Sequence, residues 1–178
     1  MRLRRAAELI AIASVLASCG TAPHGQADSA FVSRMIPHHE LGMELINEAT
    51  LHSDDVELRR LVFEMGGYHH DELAQLHEWA HAWGTGAARR FPGRIDQADL
   101  SSLGELRGPG HDTWWLALMI RHHRGAVDIA GVEIRSGTNR DAVAMAHTVL
   151  TVQERQIADM EEILRGYCDV DPGLRGCG

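Results

Sequence analysis

Two histidine pairs occupy matching positions in two similar segments and offer the clearest chemistry in the chain. Residues 35–39 read Met-Ile-Pro-His-His, and residues 119–123 read Met-Ile-Arg-His-His. Imidazole nitrogens bind copper and zinc, and methionine thioethers select soft Cu(I). The pairs therefore indicate a transition-metal site, and the methionine that opens each segment favours copper.

The first pair belongs to a segment that can assemble a soft ligand set. Apolar or small residues recur at helical spacing through residues 29–50, which predicts a helix with His38 on its apolar stripe. A tight turn near His52 would place residues 65–69 opposite the pair. The side chains that this hairpin can bring together are Met35, His38, His39, Met43, Met65 and His69.

The second pair has a poorer set of neighbours. Its hairpin keeps Met119, His122 and His123, but valine replaces two methionines of the first hairpin and Gln153 replaces the third histidine. We therefore expect the second hairpin to bind metal more weakly or to be purely structural.

Structural roles are the competing interpretation of the same residues. Glu72, Gln153 and Gln156 can hydrogen-bond buried histidines, and the methionines can fill a core. The protein would then be a lipid-anchored structural or interaction module without metal. His77 and His81, four residues apart, suit either a surface metal site or a solvated polar face.

Enzymatic chemistry has little support in the sequence. A ferritin-like di-iron site needs a glutamate from each of two helices and a Glu-x-x-His motif from each of the other two, whereas the interior positions here supply mainly Glu72. No nucleophilic triad, phosphate loop or dinucleotide motif occurs. We expect a metal-binding protein that is not an enzyme and has no organic cofactor.

Four helical segments position these residues. They cover about residues 29–50, 55–83, 113–135 and 140–164, and a crossover over 84–112 contains a short helix near 97–106. Asp54 and Asn139 are candidate N-caps, and Gly166 is a candidate stop. The pattern predicts an all-α four-helix bundle made of two hairpins.

The two hairpins repeat each other in one register. An offset of 84 residues pairs the two histidine segments and also pairs His69 with Gln153 and Glu72 with Gln156. A constant offset through both helices indicates an internal duplication and a pseudo-two-fold bundle.

The repeated segments resemble those of the DUF305 family, a domain of unknown function. The resemblance rests on Met-Ile-Pro-His-His and on the polar-x-x-acid/amide-apolar ending of each hairpin, and it covers about residues 28–165. It implies a ferritin-like four-helix bundle and export, and some relatives are linked to periplasmic copper. It also favours a crossover that returns along the bundle, from which we expect two separate metal sites.

The N-terminus resembles a bacterial lipoprotein signal. Arginines at residues 2, 4 and 5, an apolar run and the Leu-Ala-Ser-Cys segment at 16–19 predict a signal over 1–18 and lipidation of Cys19. The alternative is an ordinary signal peptide with a coincidental cysteine. We expect a tether over 19–28, a bundle over 29–165, and anchoring to the outer face of the cytoplasmic membrane or cell envelope.

Export also determines how the remaining cysteines are interpreted. Cys168 and Cys177 lie in the tail over 166–178, where an oxidising compartment favours a disulfide over a thiol metal site. Without residues 1–18 the chain has 14 arginines, no lysine and 24 acidic residues, so it is a poor nucleic-acid binder. The expected partners are the membrane, through the lipid on Cys19, and a metal ion. A protein partner is not indicated.

The function expected from these patterns is copper binding at the cell surface. The protein would buffer, sequester or deliver copper, a soft transition metal, through the two histidine pairs.

Overall fold

Five α-helices make up the part of the chain that the computed structural model describes, residues 23–178. Their bounds are Gln26–His52 (α1), Val56–Trp83 (α2), Gln97–Glu105 (α3), Pro109–Ser136 (α4) and Arg140–Val170 (α5). No β-strand occurs within residues 23–178. The predicted all-α fold is confirmed, with α3 as the short helix of the crossover. The expected signal and Cys19 lie outside the described residues.

The long helices form two hairpins, α1–α2 and α4–α5, which pack together mainly through α1 and α4. The indole of Trp115, early in α4, donates to the carbonyl of Leu45, late in α1, at 2.7 Å. At the opposite end of the bundle Asp28 of α1 accepts a hydrogen bond from the backbone of Thr138, just beyond α4. Helices α1 and α4 therefore run antiparallel.

The helix ends follow from their capping chemistry and differ from the expectation at several points. Helices α1 and α4 begin at Gln26 and Pro109, earlier than residues 29 and 113. Asp55, rather than Asp54, caps α2 by accepting from the backbone of Leu58 at 2.8 Å. Asn139 caps α5 as predicted. Helix α5 continues through Gly166, where a side chain would meet open space, to Val170. A glycine ends a helix when the chain must turn left-handed, and no such turn occurs there.

The structure also shows how both ends of the bundle are fastened. The described part of the expected tether packs on the bundle, since residues 26–28 form the first turn of α1 and Asp28 is fully buried. The expected disulfide joins Cys168 in α5 to Cys177 in the tail. No helix within residues 23–178 has the length and apolar character needed to cross a bilayer.

Two apolar clusters fill the bundle core. One contains Trp115, Met65 and Met119 and lies toward the α1–α2 turn. The other contains Phe31, Met35 and Ile129 and lies toward the α4–α5 turn. Between them, near the middle of the long helices, the buried residues are polar.

Candidate metal centre

A single cluster of five buried histidines occupies the middle of the bundle. We call it the histidine layer, and its members are His38, His39, His69, His122 and His123. Each side chain has at most 1% of its surface exposed. Helices α1, α2 and α4 contribute these rings, and α5 contributes the neighbouring amides of Gln153 and Gln156.

The rings contact one another across the two hairpins. His38 of α1 stacks on His122 of α4 with ring centroids 3.8 Å apart. His69 of α2 lies 4.8 Å from His39 and 5.9 Å from His123 between ring centroids. The expectation of two separate sites is therefore wrong. Both pairs lie halfway along their helices, so an antiparallel arrangement brings them together instead of apart.

Backbone carbonyls determine which nitrogen carries the proton on three of the rings. Nε2 of His38 donates to the carbonyl of His122, Nδ1 of His69 donates to that of Met65, and Nδ1 of His122 donates to that of Gly93, each at 3.0 Å. A carbonyl only accepts, so in the neutral rings the other nitrogen has a free lone pair. Those nitrogens are Nδ1 of His38 and Nε2 of His69 and His122, and all three are buried without a hydrogen-bond partner.

The rings of His39 and His123 instead contact side chains that occupy equivalent positions in the two hairpins. His39 Nε2 donates to Glu72 Oε2 at 2.8 Å, and His123 Nε2 lies 3.0 Å from Gln156 Oε1. The carboxylate leaves Nδ1 of His39 as a buried, unpaired lone pair. An amide can donate as well as accept, so the contact with Gln156 does not decide the tautomer of His123.

A glycine allows two of the lone pairs to approach α1 closely. A Cβ on Gly42 would lie 2.7 Å from Nε2 of His69 and 3.2 Å from Nε2 of His122. Both unpaired nitrogens thus approach the same point on α1, although they belong to different hairpins. In the sequence Gly42 is visible only as part of the apolar stripe.

Burial keeps four rings of the layer uncharged. It lowers the pKa of His38 and His69 well below the usual range, helped by the neighbouring histidines. It also lowers the pKa of His122 to about 3 and that of His123 to about 4, although the oxygens of Gly93 and Gln156 that lie against these rings favour the charged form. At neutral pH these four rings are neutral imidazoles, the form that binds metals.

The predicted methionines divide into two groups. Met35, Met65 and Met119 are fully buried in the apolar clusters on either side of the layer, each one helical turn from a layer histidine. Met43 is partly buried; it lines a surface pocket with His70 and packs against the cluster that contains Met65 and Met119. The histidines of α4 join those of the first hairpin in the layer.

The crossover covers the layer, which sequence reasoning did not predict. The ring of Phe91 meets the ring of His38 edge-on, with centroids 5.7 Å apart. Gly93 has a φ of +74°, which favours glycine, and a Cβ there would lie 2.5 Å from the carbonyl of His122. The Phe-Pro-Gly sequence over 91–93 indicates a turn in the crossover, but nothing in it indicates which helix that turn contacts.

The layer fits a metal in its donors but is not arranged around one. Within residues 23–178 no group of three or more His, Cys, Asp or Glu side chains is arranged to hold a metal ion. Its unpaired nitrogens nevertheless have the tautomers that ligation requires, and the partner groups that orient metal-binding histidines in other proteins are in place. His77 and His81, the candidate surface pair, are exposed, and His77 lies 3.8 Å from Glu40.

Comparison with solved structures identifies the same fold in several proteins. A presumed secreted DUF305 protein from Streptomyces coelicolor is 26% identical, with a TM-score of 0.75 over 79% of this chain and 92% of its own. A DUF305 fragment from Deinococcus radiodurans is 22% identical, with a TM-score of 0.72 over 80% and 97%. CopM in its Cu(I)-bound form is 20% identical, with a TM-score of 0.69 over 79% and 96%.

Family membership follows from the sequence itself as well as from the fold. No curated protein is similar enough to count as a match. The DUF305 model matches residues 4–80 and 28–164, and the second match spans all five helices up to the last turns of α5. The chain therefore belongs to the DUF305 family, a domain of unknown function.

Proposed function

We propose that the histidine layer binds copper, as Cu(I), in the centre of the bundle. The observation that carries this proposal is that each of the five layer rings has one buried nitrogen without a hydrogen-bond partner: His38, His39, His69, His122 and His123. A buried polar atom without a partner costs about 1–3 kcal/mol, so a bound cation offers a reason for keeping five of them together.

The choice of copper rests on the donor chemistry and on similar structures. Neutral imidazoles suit copper and zinc, and the buried thioethers of Met35, Met65 and Met119 on both sides favour the softer Cu(I). CopM, which has the same fold, has been solved in Cu(I)-bound, Cu(II)-bound and Ag-bound forms.

Both hairpins contribute to the proposed site. The unpaired nitrogens of His69 from α2 and His122 from α4 both approach Gly42. We therefore replace the expectation of a strong first and a weak second site by one site that needs both hairpins.

The setting of this activity is the cell envelope. We propose that Cys19 is lipidated and that the bundle buffers, sequesters or delivers copper at the outer face of the membrane. Support comes from the Leu-Ala-Ser-Cys segment at 16–19, from the presumed secretion of the Streptomyces relative and from the disulfide of Cys168 and Cys177.

A substitution at Gly42 tests the proposed copper site without removing a ligand. Gly42→Ala places a methyl group against His69 and His122, and we expect it to weaken Cu(I) binding at least about tenfold, the size of effect seen when metal ligands are displaced. Competitive titration of the folded protein against a Cu(I) chelator measures this. Gly67→Ala is the matched control, since a Cβ there meets nothing within 4 Å and the same helix-favouring change is made.

A structural module without metal predicts a different result. The hydrogen bonds of His39 with Glu72 and of His123 with Gln156 are the observations that favour it. In that case the wild-type protein binds no Cu(I), and Gly42→Ala changes only the free energy of unfolding. Absence of Cu(I) binding by the folded wild-type protein would refute the proposal.

A further inference from the structure

A second group of metal-binding side chains lies at the end of the bundle, away from the histidine layer. Its members are Glu48 and His52 in the last turns of α1 and His111 in the first turn of α4. Leu45 and Trp115 lie between this group and the layer along the two helices, and both are buried in the apolar cluster. None of the three residues belongs to the proposed copper site.

His111 is held as a metal-binding histidine would be. Its side chain is fully buried, and its Nδ1 lies 3.1 Å from Asp112 Oδ1. A carboxylate accepts, so Nδ1 carries the proton and Nε2 has the lone pair. That Nε2 is buried and has no hydrogen-bond partner. Carboxylate–histidine pairs of this kind orient the second nitrogen toward a metal.

Glu48 and His52 supply the remaining donors from one helical face. They are four residues apart, and His52 Nε2 lies 3.3 Å from Glu48 Oε1. The rings of His52 and His111 meet edge-to-face with centroids 5.6 Å apart. As they stand, these three side chains are not arranged around an ion. About a quarter of each of the Glu48 and His52 side chains is exposed, so these two can reorient toward His111, which remains fixed.

We propose that Glu48, His52 and His111 bind a borderline divalent cation such as Zn²⁺. Two imidazoles and one carboxylate are a ligand set that zinc accepts, with a fourth position left for water. No thioether is part of the set, so it differs from the histidine layer in the oxidation state and softness of the metal it favours. The cation would link the end of α1 to the start of α4.

Calorimetric titration of the purified protein with Zn(II) tests this assignment. We use the partly exposed ligands, His52→Ala and Glu48→Gln, because substitution of the buried His111 can disturb folding. Each change should weaken Zn(II) binding on the order of tenfold or more. His147→Ala is the matched control, since His147 is an exposed histidine on α5 that belongs to neither group, and this change should leave Zn(II) binding unchanged.

A second readout follows His111 without mutating it. Its Nε2 resonance in ¹⁵N-edited spectra should shift when Zn(II) is added to wild type and should stay in place in His52→Ala. Gly42→Ala, which blocks the histidine layer, should keep Zn(II) binding at this end of the bundle. Zn(II) affinity that stays within twofold of wild type in both His52→Ala and Glu48→Gln, or that is lost in Gly42→Ala, would overturn the proposal.

Discussion

The histidine layer contains single residues that are unfavourable for folding, and the proposed copper binding gives a reason for them. His38, His69 and His122 each use one nitrogen on a backbone carbonyl and leave the other unpaired in the core. Apolar side chains of similar size would pack there without that desolvation cost. Buried polar atoms that weaken the fold are expected at functional sites rather than in ordinary cores.

A carboxyl pair at the α4–α5 end titrates in an unusual range. Asp28 is buried, which opposes its ionisation, but hydrogen bonds involving Glu133, Gly25, Asn139 and Thr138 outweigh burial and lower its pKa. Burial, together with the neighbouring Asp28, raises the pKa of Glu133 to about 8. Glu133 therefore keeps its proton at neutral pH while Asp28 remains ionised.

This pair makes stability depend on pH. A raised pKa in the folded state means that the folded protein holds a proton that the unfolded chain loses, so the contribution of Glu133 to stability falls from the ordinary glutamate pKa of 4.5 up to about 8. The four layer histidines with lowered pKa act in the opposite direction, and their contribution rises with pH up to their ordinary pKa of 6.5. Above about pH 6.5 the fall caused by Glu133 remains, with a slope of at most about 1.4 kcal/mol per pH unit from one proton. Glu133→Gln cannot ionise and should flatten the profile between about pH 6.5 and 8.

Denaturant unfolding at several pH values measures the effect. Glu154→Gln, a change at a glutamate exposed on α5, serves as the control and should keep the wild-type slope. Equal slopes for wild type and Glu133→Gln between pH 5 and 8 would mean that Glu133 ionises normally.

At the level of the elements, the crossover is bound tightly to α4. A Cβ on Gly125 would lie 2.4 Å from the carbonyl of Pro92 and from the nitrogen of Gly93, so only glycine allows the two segments to touch. The same segment accepts the hydrogen bond from His122. The position of the crossover therefore helps to set the tautomer of a histidine in the layer.

Gly125→Ala should separate the crossover from α4. We expect the free energy of unfolding to fall by about 1–3 kcal/mol, the usual cost of overpacking. Gly110→Ala on the same helix meets nothing within 4 Å and should not destabilise the protein. Thermal unfolding of both variants decides the point, and equal melting temperatures would show that the crossover yields without cost.

The duplication explains why the two hairpins share some contacts but differ in one of their polar groups. His39 with Glu72 and His123 with Gln156 are equivalent pairs, as the constant offset predicted. At the next position the equivalence ends, since His69 presents an unpaired nitrogen where Gln153 presents an unpaired amide oxygen. The layer is therefore asymmetric in donors although the bundle is built from repeats.

At the scale of the whole molecule, the described chain starts at the α4–α5 end of the bundle. The side chain of Asn139 donates a hydrogen bond to the carbonyl of Pro23. Pro23 lies four residues after Cys19, the cysteine expected to carry lipid. A lipid on Cys19 would hold that end near the membrane, because four residues span at most about 14 Å.

Labelling with palmitate tests the anchor. The wild-type protein should incorporate the label and fractionate with membranes, whereas Cys19→Ala should do neither, because acylation needs that thiol. Cys168→Ala is the control, since its cysteine belongs to the disulfide at the other end of the bundle. Equal labelling of wild type and Cys19→Ala would remove the anchor from the proposed function.

Much of the architecture could be predicted from the sequence because it depends on local patterns. Apolar spacing, the cap at Asn139 and the turns near residues 53 and 137 indicate helices and hairpins, and the disulfide follows from two cysteines in one short tail. The 84-residue offset also identified which side chains play equivalent roles. These features involve residues that are close in sequence or repeated at a fixed interval.

Only the tertiary structure decided how the histidines meet. The antiparallel packing of α1 on α4 puts His38 on His122, and the crossover then supplies Gly93 as an acceptor. Both contacts join residues far apart in the chain, so no local pattern specifies them. The same holds for Gly42, because its contacts with His69 and His122 depend on how the facing helices pack.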